Sequence, residues 1–351
     1  MNKKIAIIAP PFTSIPAKKQ GGTERIVEQT INDLVRRGYT ITLYGAGKYV
    51  GPAKFVPIFK KTISDIKVDP DKIEASRPLR LELAYLSTIM HEMIKKDGQF
   101  DIILNHARGG YLFLPIASFI KTPIVSIVHL PIFKEMEDFV SLYKNPNIIS
   151  ISNNQRKGYD KINYLATVYN GTDTSEFEFN ASPKDYFLTM GAMGGHKNPK
   201  DAILAVKKAG AKLIMAGGKK REPYFSKEIM PLVDGKQIKY VGEVKGKERL
   251  DLFKNAKALL FPIKWEEPFG LVMIEAMACG TPVIAYESGA VKEVIENRKT
   301  GFIVKNVSEM AKAIKNIDSI DRLACRKLVE NKFSTQKMVD DYELIIKKLT
   351  K

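Results

Sequence analysis

Short apolar runs alternate with amphipathic stretches along nearly the whole chain, and the alternation breaks once and then restarts. Residues 5–10 form a first strand-like run. Gly21-Gly22 then opens a helical period with Ile26, Val27, Ile31, Leu34 and Val35 on one face, and Gly38 ends it as a C-terminal cap. Strands are expected at 40–44, 102–105, 123–128, 148–150 and 166–169, with a helix at 78–96 and a Lys- and Pro-rich loop at 48–70. The pattern stops at Asn170-Gly171-Thr172-Asp173, and polar and turn residues run on to Pro183. It resumes with strands at 186–190, 212–216, 238–241, 258–261, 282–285 and 301–304, and helices near 199–208, 222–232, 246–255, 270–278 and 290–296. Alternation of this kind demands parallel sheets covered by helices on both faces. The expected fold class is α/β, with two doubly wound Rossmann-like domains facing across a cleft. The expected boundaries are 1–172, 173–333 and a C-terminal helix, 334–351, packing back toward the N-terminal domain with Met338, Leu344, Ile345 and Leu349 as its apolar positions.

The chain has 351 residues, 44% of them hydrophobic, which is enough for two cores. No run reaches the roughly 18 apolar residues of a membrane span. The most apolar region, 111–133, is interrupted by Pro115, Lys121, Pro123 and Pro131. The N-terminus enters a strand at once, so a cytoplasmic protein is expected. The two cysteines, Cys279 and Cys325, exclude a disulfide framework, and neither lies in a zinc-type cluster. The net charge of +17 is spread over both halves of the chain. It suits a Lys-rich surface, or attraction to a diphosphate or an anionic membrane face. No nucleic-acid-binding motif accompanies it, so nucleic acid is not an expected partner.

The most informative stretch runs from Glu266 to Ala276, following an apolar strand and opening a helix. A helix N-terminus offers free N–H groups and a positive dipole end, which suit a phosphate or a sugar hydroxyl. Gly270 permits close approach of a ligand to the backbone. Glu267 lies just before the helix and Glu275 roughly 8 Å deeper within it, so the two carboxylates can hold hydroxyls at opposite ends of an extended ligand. As plain structure, both could be acids complementing the helix dipole.

Glu267 and Glu275 resemble the E-x7-E motif of family-4 retaining glycosyltransferases, which have the GT-B fold. Phe261-Pro262 before the motif, the run from Ala276 to Ala285 after it, the segment from Gly289 to Gly301, and Asn170-Gly171-Thr172-Asp173 are also similar to that family. Gly21-Gly22-Thr23-Glu24-Arg25 resembles the loop of one bacterial and archaeal branch. The resemblance implies that Glu267 touches the transferred sugar and Glu275 the ribose. It assigns the backbone of Phe269, Gly270, Leu271 and Val272 to sugar and phosphates, Gly21 and Gly22 to the diphosphate, and Gly242 and Glu243 to the base. Lys197 falls on the family's phosphate-binding lysine. Ala192 stands where the partner arginine is expected, which removes a bidentate donor; Lys219, Lys220 or Arg221 would be the compensating cations. His129 is expected beside the reacting sugar, and His106 and Arg108 on the acceptor side.

The implied reaction is metal-independent transfer of a sugar from a nucleoside diphosphate, with retention, to a carbohydrate, lipid or small-molecule acceptor. No cofactor is implied, and a UDP-sugar is set ahead of a GDP- or ADP-sugar. Asp69-Pro70-Asp71 spells a D-x-D metal motif but sits in a Lys- and Pro-rich loop and is read as surface. Alternatives are a sugar-nucleotide epimerase on the same fold and a non-catalytic binder of anionic ligands.

Overall fold

A computed structural model describes residues 3–17, 21–66, 76–219 and 223–351. Asp69, Asp71, Lys220 and Arg221 lie outside the described residues. The chain divides into two compact units, Met1–Tyr169 with Met338–Lys351, and Asn170–Lys337.

The first unit is built on a seven-stranded parallel sheet in the order β3-β2-β1-β4-β5-β6-β7. Its strands are β1 (Lys4–Ile8), β2 (Thr40–Ala46), β3 (Lys54–Phe59), β4 (Ile102–Asn105), β5 (Ile124–Val128), β6 (Ile148–Ser150) and β7 (Tyr164–Thr167). Ile5 to Ile8 are wholly buried on both sides of the pleat, as a central parallel strand requires. Ile5 pairs with Ile41 of β2 and with Ile102 of β4. Helix α1 (Gly22–Arg36) buries Ile26, Val27, Ile31 and Leu34, the stripe its 3.6-residue period lays down. Helix α2 (Arg77–Lys95) buries Tyr85, Leu86, Ile89 and Met93 in a cluster with Ile103 and Phe113. Two short helices, α3 (Leu114–Ala117) and α4 (Lys134–Val140), complete the crossovers before β6.

Strand β3 corrects the expectation of a loop over 48–70. It is an edge strand with Pro57 opposite Gly45, and only an edge tolerates a proline that lacks a donor.

The second unit carries a six-stranded parallel sheet in the order β10-β9-β8-β11-β12-β13. The strands are β8 (Phe187–Met190), β9 (Leu213–Ala216), β10 (Ile238–Gly242), β11 (Leu259–Phe261), β12 (Val283–Tyr286) and β13 (Gly301–Val304). Its helices are α5 (Pro199–Ala209), α6 (Gly246–Asn255), α7 (Leu271–Ala278), α8 (Val291–Val294), α9 (Val307–Lys315) and α10 (Arg322–Lys332). The helix expected over 222–232 is a single π turn at Phe225–Ile229 followed by a 3-10 turn, because Pro231 interrupts it. The helix expected over 290–296 is the single turn α8.

The last helix, α11 (Thr335–Leu349), belongs to the first unit from Met338 onward. There Met338, Val339, Tyr342, Ile345 and Ile346 are buried, while Leu344 is 66% exposed. The expected apolar position at Leu344 is therefore corrected: it lies two residues from Tyr342, on the opposite side of the helix. Arg37 binds Asp340 at 2.6 Å and Tyr39 donates to Glu343 at 2.8 Å, tying this helix to the end of α1.

Both sheets reverse their strand order at one point, between β1 and β4 and between β8 and β11. In open α/β sheets the crevice beyond the strand ends at such a reversal is where ligands sit.

Candidate active site

In the second unit the loops leaving β8 and β11, the two strands at the reversal, hold the expected residues. After β8 the chain passes Gly191 and Ala192 and reaches Lys197, then Asn198, whose left-handed backbone (φ 50°) turns it into α5. After β11 it passes Pro262 and Trp265 to Glu267 and the head of α7. Asn198 donates its side-chain amide to the Pro262 carbonyl at 3.0 Å, and the Lys264 amide donates to the His196 carbonyl at 3.1 Å. These bonds stitch the two loops together and bring Lys197 against Glu267 in an ion pair. The Lys197 side chain is 23% exposed and that of Glu267 13%, so the pair is held near the surface with partial solvent access.

A third group converges on the same carboxylate. Trp265 donates its indole N–H to Oε2 of Glu267 at 2.8 Å, the oxygen that also takes the Lys197 ammonium. The ammonium lies 5.1 Å from the centroid of the Trp265 ring and 5.7 Å from that of Phe261.

The loop carrying Trp265 and Glu267 is clamped by the turn after β12. Ser288 donates its hydroxyl to the Trp265 carbonyl at 2.6 Å, the Gly289 amide donates to the Glu266 carboxylate at 3.1 Å, and the Ala290 amide to the Glu267 carbonyl at 3.0 Å. Gly289 has φ +56°, and a Cβ there would lie 2.2 Å from the Glu267 carbonyl oxygen and 2.4 Å from its nitrogen. Only glycine fits.

Gly270 caps α7 in the left-handed region (φ 87°), so Leu271 and Val272 open the helix where α-helices leave amides without intrahelical acceptors. Phe269 is buried, edge-on to Phe333 at 5.8 Å. Glu275, inside α7, is 4% exposed and forms an ion pair with Arg249 of α6. Neither Arg249 nor Trp265 was among the residues expected at the site. Trp265 left a signal, since it is the one tryptophan of the sequence and stands two residues before Glu267. Arg249 left none, because nothing in the sequence pairs a residue of α6 with one 26 positions on. Gly242 ends the edge strand β10 with its carbonyl accepting from the Gly217 amide at 2.7 Å, and Glu243 follows it, exposed. Of the cations expected to compensate for Ala192, Lys219 is described, with its ammonium 5.1 Å from the Phe225 ring and 5.7 Å from the Tyr240 ring.

In the first unit the matching loops carry the remaining candidates. Gly21 and Gly22 stand at the head of α1, on the loop from β1. His106 and Arg108 follow β4, and His129 follows β5. The imidazoles of His106 and His129 stack, with Nδ1 of His106 and Nε2 of His129 3.0 Å apart. Burial pushes His129 down to about 4; burial, then repulsion from His129, holds His106 well below the usual histidine range. Both rings are therefore neutral near pH 7, and one donates to the other. The Tyr342 ring of α11 meets His106 edge-on at 6.1 Å. Arg108 forms a two-pronged bond with Glu82, at 3.1 and 2.6 Å, and its guanidinium lies 3.7 Å from the centroid of the Phe12 ring. Among the described residues no helix is long and apolar enough to cross a membrane.

Residues 172–333 match the family model of glycosyl transferases group 1. An uncharacterized glycosyltransferase of Methanocaldococcus jannaschii is 26% identical over 200 residues, which cover 50% of this chain and 51% of that protein. The matched stretches span about half or less of the length of this and the next three curated relatives. The sucrose-phosphate synthase of Thermosynechococcus elongatus superposes with a TM-score of 0.77 at 17% identity, covering 99% of each chain. HepE of Anabaena, solved in complex with UDP-glucose, superposes with a TM-score of 0.72 at 16% identity, covering 99% of this chain and 100% of that one. Residues 172–333, which carry Lys197, Trp265, Glu267 and Glu275, are thus similar to the group 1 glycosyl transferases, on a chain whose fold is that of solved GT-B proteins.

Proposed function

We propose that this chain is a metal-independent, retaining glycosyltransferase of family 4 that moves a sugar from a nucleoside diphosphate to a carbohydrate, lipid or small-molecule acceptor. The observation that carries the reading is the meeting of Lys197 and Glu267 at the head of α7, beyond the two strands where the sheet order reverses. A cation and the open end of a helix suit a diphosphate, and the carboxylate beside them suits the hydroxyls of the sugar it carries. Glu275 would accept from the ribose hydroxyls, with the base near Gly242 and Glu243. Phe269, Gly270, Leu271 and Val272 would offer their backbone to sugar and phosphates. In the first unit, Gly21 and Gly22 are assigned to the diphosphate, His129 to the sugar, and His106 and Arg108 to the acceptor.

In the reaction the acceptor oxygen bonds to the anomeric carbon as the bond from that carbon to the diphosphate oxygen breaks. The acceptor's proton passes to the departing diphosphate. Rate would come from positioning and from stabilising the charge that grows on the leaving group. Ala192 gives up one of the two cations the family resemblance implies, so more of that work falls on Lys197. His129, neutral and bonded to His106, can orient a hydroxyl but adds no positive charge. A cytoplasmic protein fits this reading, at the inner membrane face if the acceptor is a lipid, and a UDP-sugar is the first donor to try.

A thermal-shift screen against UDP-, GDP- and ADP-sugars finds the donor, because ligand bound only to the folded state raises its apparent stability. With that donor, Lys197→Ala and Glu267→Ala are expected to lower transfer or slow donor hydrolysis by about two orders of magnitude or more, with circular dichroism unchanged. Wild-type rates in either variant would refute the assignment.

A further inference from the structure

We infer that Trp265 is a positioning residue that keeps Glu267 in place while Lys197 is handed over to the donor's diphosphate. The inference rests on the proposed donor site and adds a residue and an exchange to it. Oε2 of Glu267 holds two partners at once, the ammonium of Lys197 and the indole N–H of Trp265. The two differ in what a diphosphate does to them. Lys197 is a cation on a flexible stem, and an incoming anion of higher charge competes with a single carboxylate for it. The indole is neutral, donor-only and rigid, and its own carbonyl is held by Ser288, so a phosphate has little claim on it. When Lys197 leaves, Trp265 alone fixes the rotamer of Glu267 and occupies Oε2, which leaves Oε1 for a sugar hydroxyl. Without that N–H, the carboxylate would lose its anchor at the moment the sugar arrives. The ring also forms one wall against Lys197, with the ammonium 5.1 Å from its centroid, and against His196, edge-on at 5.5 Å.

The test is a four-protein cycle: wild type, Trp265→Phe, Glu267→Ala and the double variant. Calorimetric titration with UDP and with the sugar nucleotide found in the screen measures each. Phenylalanine keeps a ring at the site and removes the N–H. Trp265→Phe is expected to weaken the sugar nucleotide by about tenfold, the size of one hydrogen bond to a charged group, and to change UDP by less than about twofold. In the Glu267→Ala background the same change should add almost nothing, because the acceptor of the indole N–H is gone. Additive losses, or wild-type affinity in Trp265→Phe, would overturn the inference and leave the donor site standing. Failure of the wild type to bind any nucleoside diphosphate would overturn both. The unmodified protein supplies a second measurement, since Trp265 is the one tryptophan in the sequence. Departure of the ammonium from its face should shift its emission when UDP saturates the site. Saturation by calorimetry with an unchanged spectrum would refute the exchange.

Discussion

Replacing Arg249 with methionine should remove the counter-ion of a carboxylate buried inside the second unit. Glu275 and Arg249 face each other with side chains 5% and 15% exposed, so water does little to screen either charge. Removing one partner of such a pair costs about 3–5 kcal/mol, most of it the desolvation of a buried charge that has lost its counter-ion. Methionine preserves the packing of the arginine stem over Phe253, where the guanidinium lies 5.0 Å from the ring centroid. The loss is therefore electrostatic rather than a cavity. In a unit of this size each kcal/mol moves the midpoint by about 2–4 °C, so thermal unfolding at pH 7 should drop by roughly 10 °C. Adding Glu275→Gln to Arg249→Met should recover part of the loss at pH 7. A midpoint within about 2 °C of wild type would refute the view that this pair is a buried, mutually dependent unit.

Further outcomes follow from the same geometry. Gly289→Ala should cost at least about 2 kcal/mol, since the new methyl meets the Glu267 backbone and the residue must hold a positive φ; an unchanged midpoint would refute the clamp. Acid should destabilise the first unit through the histidine pair. The unfolded chain takes up protons near pH 6.5, while His129 in the folded state resists until about 4 and burial holds His106 well below its ordinary range. The contribution of His129 is therefore complete above about 6.5 and lost as pH falls toward 4, at about 1.4 kcal/mol per pH unit, and His106 acts in the same direction. His129→Asn should flatten the unfolding profile in that window relative to wild type, and an identical profile would count against the neutral pair.

Alternation of apolar runs and helical periods was enough to read two parallel-sheet layers and most strand positions from residue order. The stretch from Glu266 to Ala276 was enough to mark a loop and helix start that lie beyond the reversal of the second sheet, where Glu267 meets Lys197. Both are local signals: a buried parallel strand must be apolar throughout, and the left-handed turn into α7 favours the glycine at 270. Where local signals conflict, the reading failed. Lys54–Phe59 pairs as an edge strand although its proline and flanking lysines read as a loop, because an edge asks less of a strand. The helices α9 and α10 went unread beyond residue 304, and the buried face of α11 was misplaced at Leu344.

Residue order determined that Lys197, Glu267 and Glu275 would lie on loops and a helix after apolar strands. Tertiary structure alone decided what they touch. The order reversal between β8 and β11 places loops some 70 residues apart side by side, so Lys197 finds Glu267, Trp265 shares its oxygen, and Arg249 meets Glu275 from another helix. Such partnerships arise when the sheet brings strand ends together, and no periodicity in the chain encodes them, because charge pairing depends on distances in space that sequence spacing does not set.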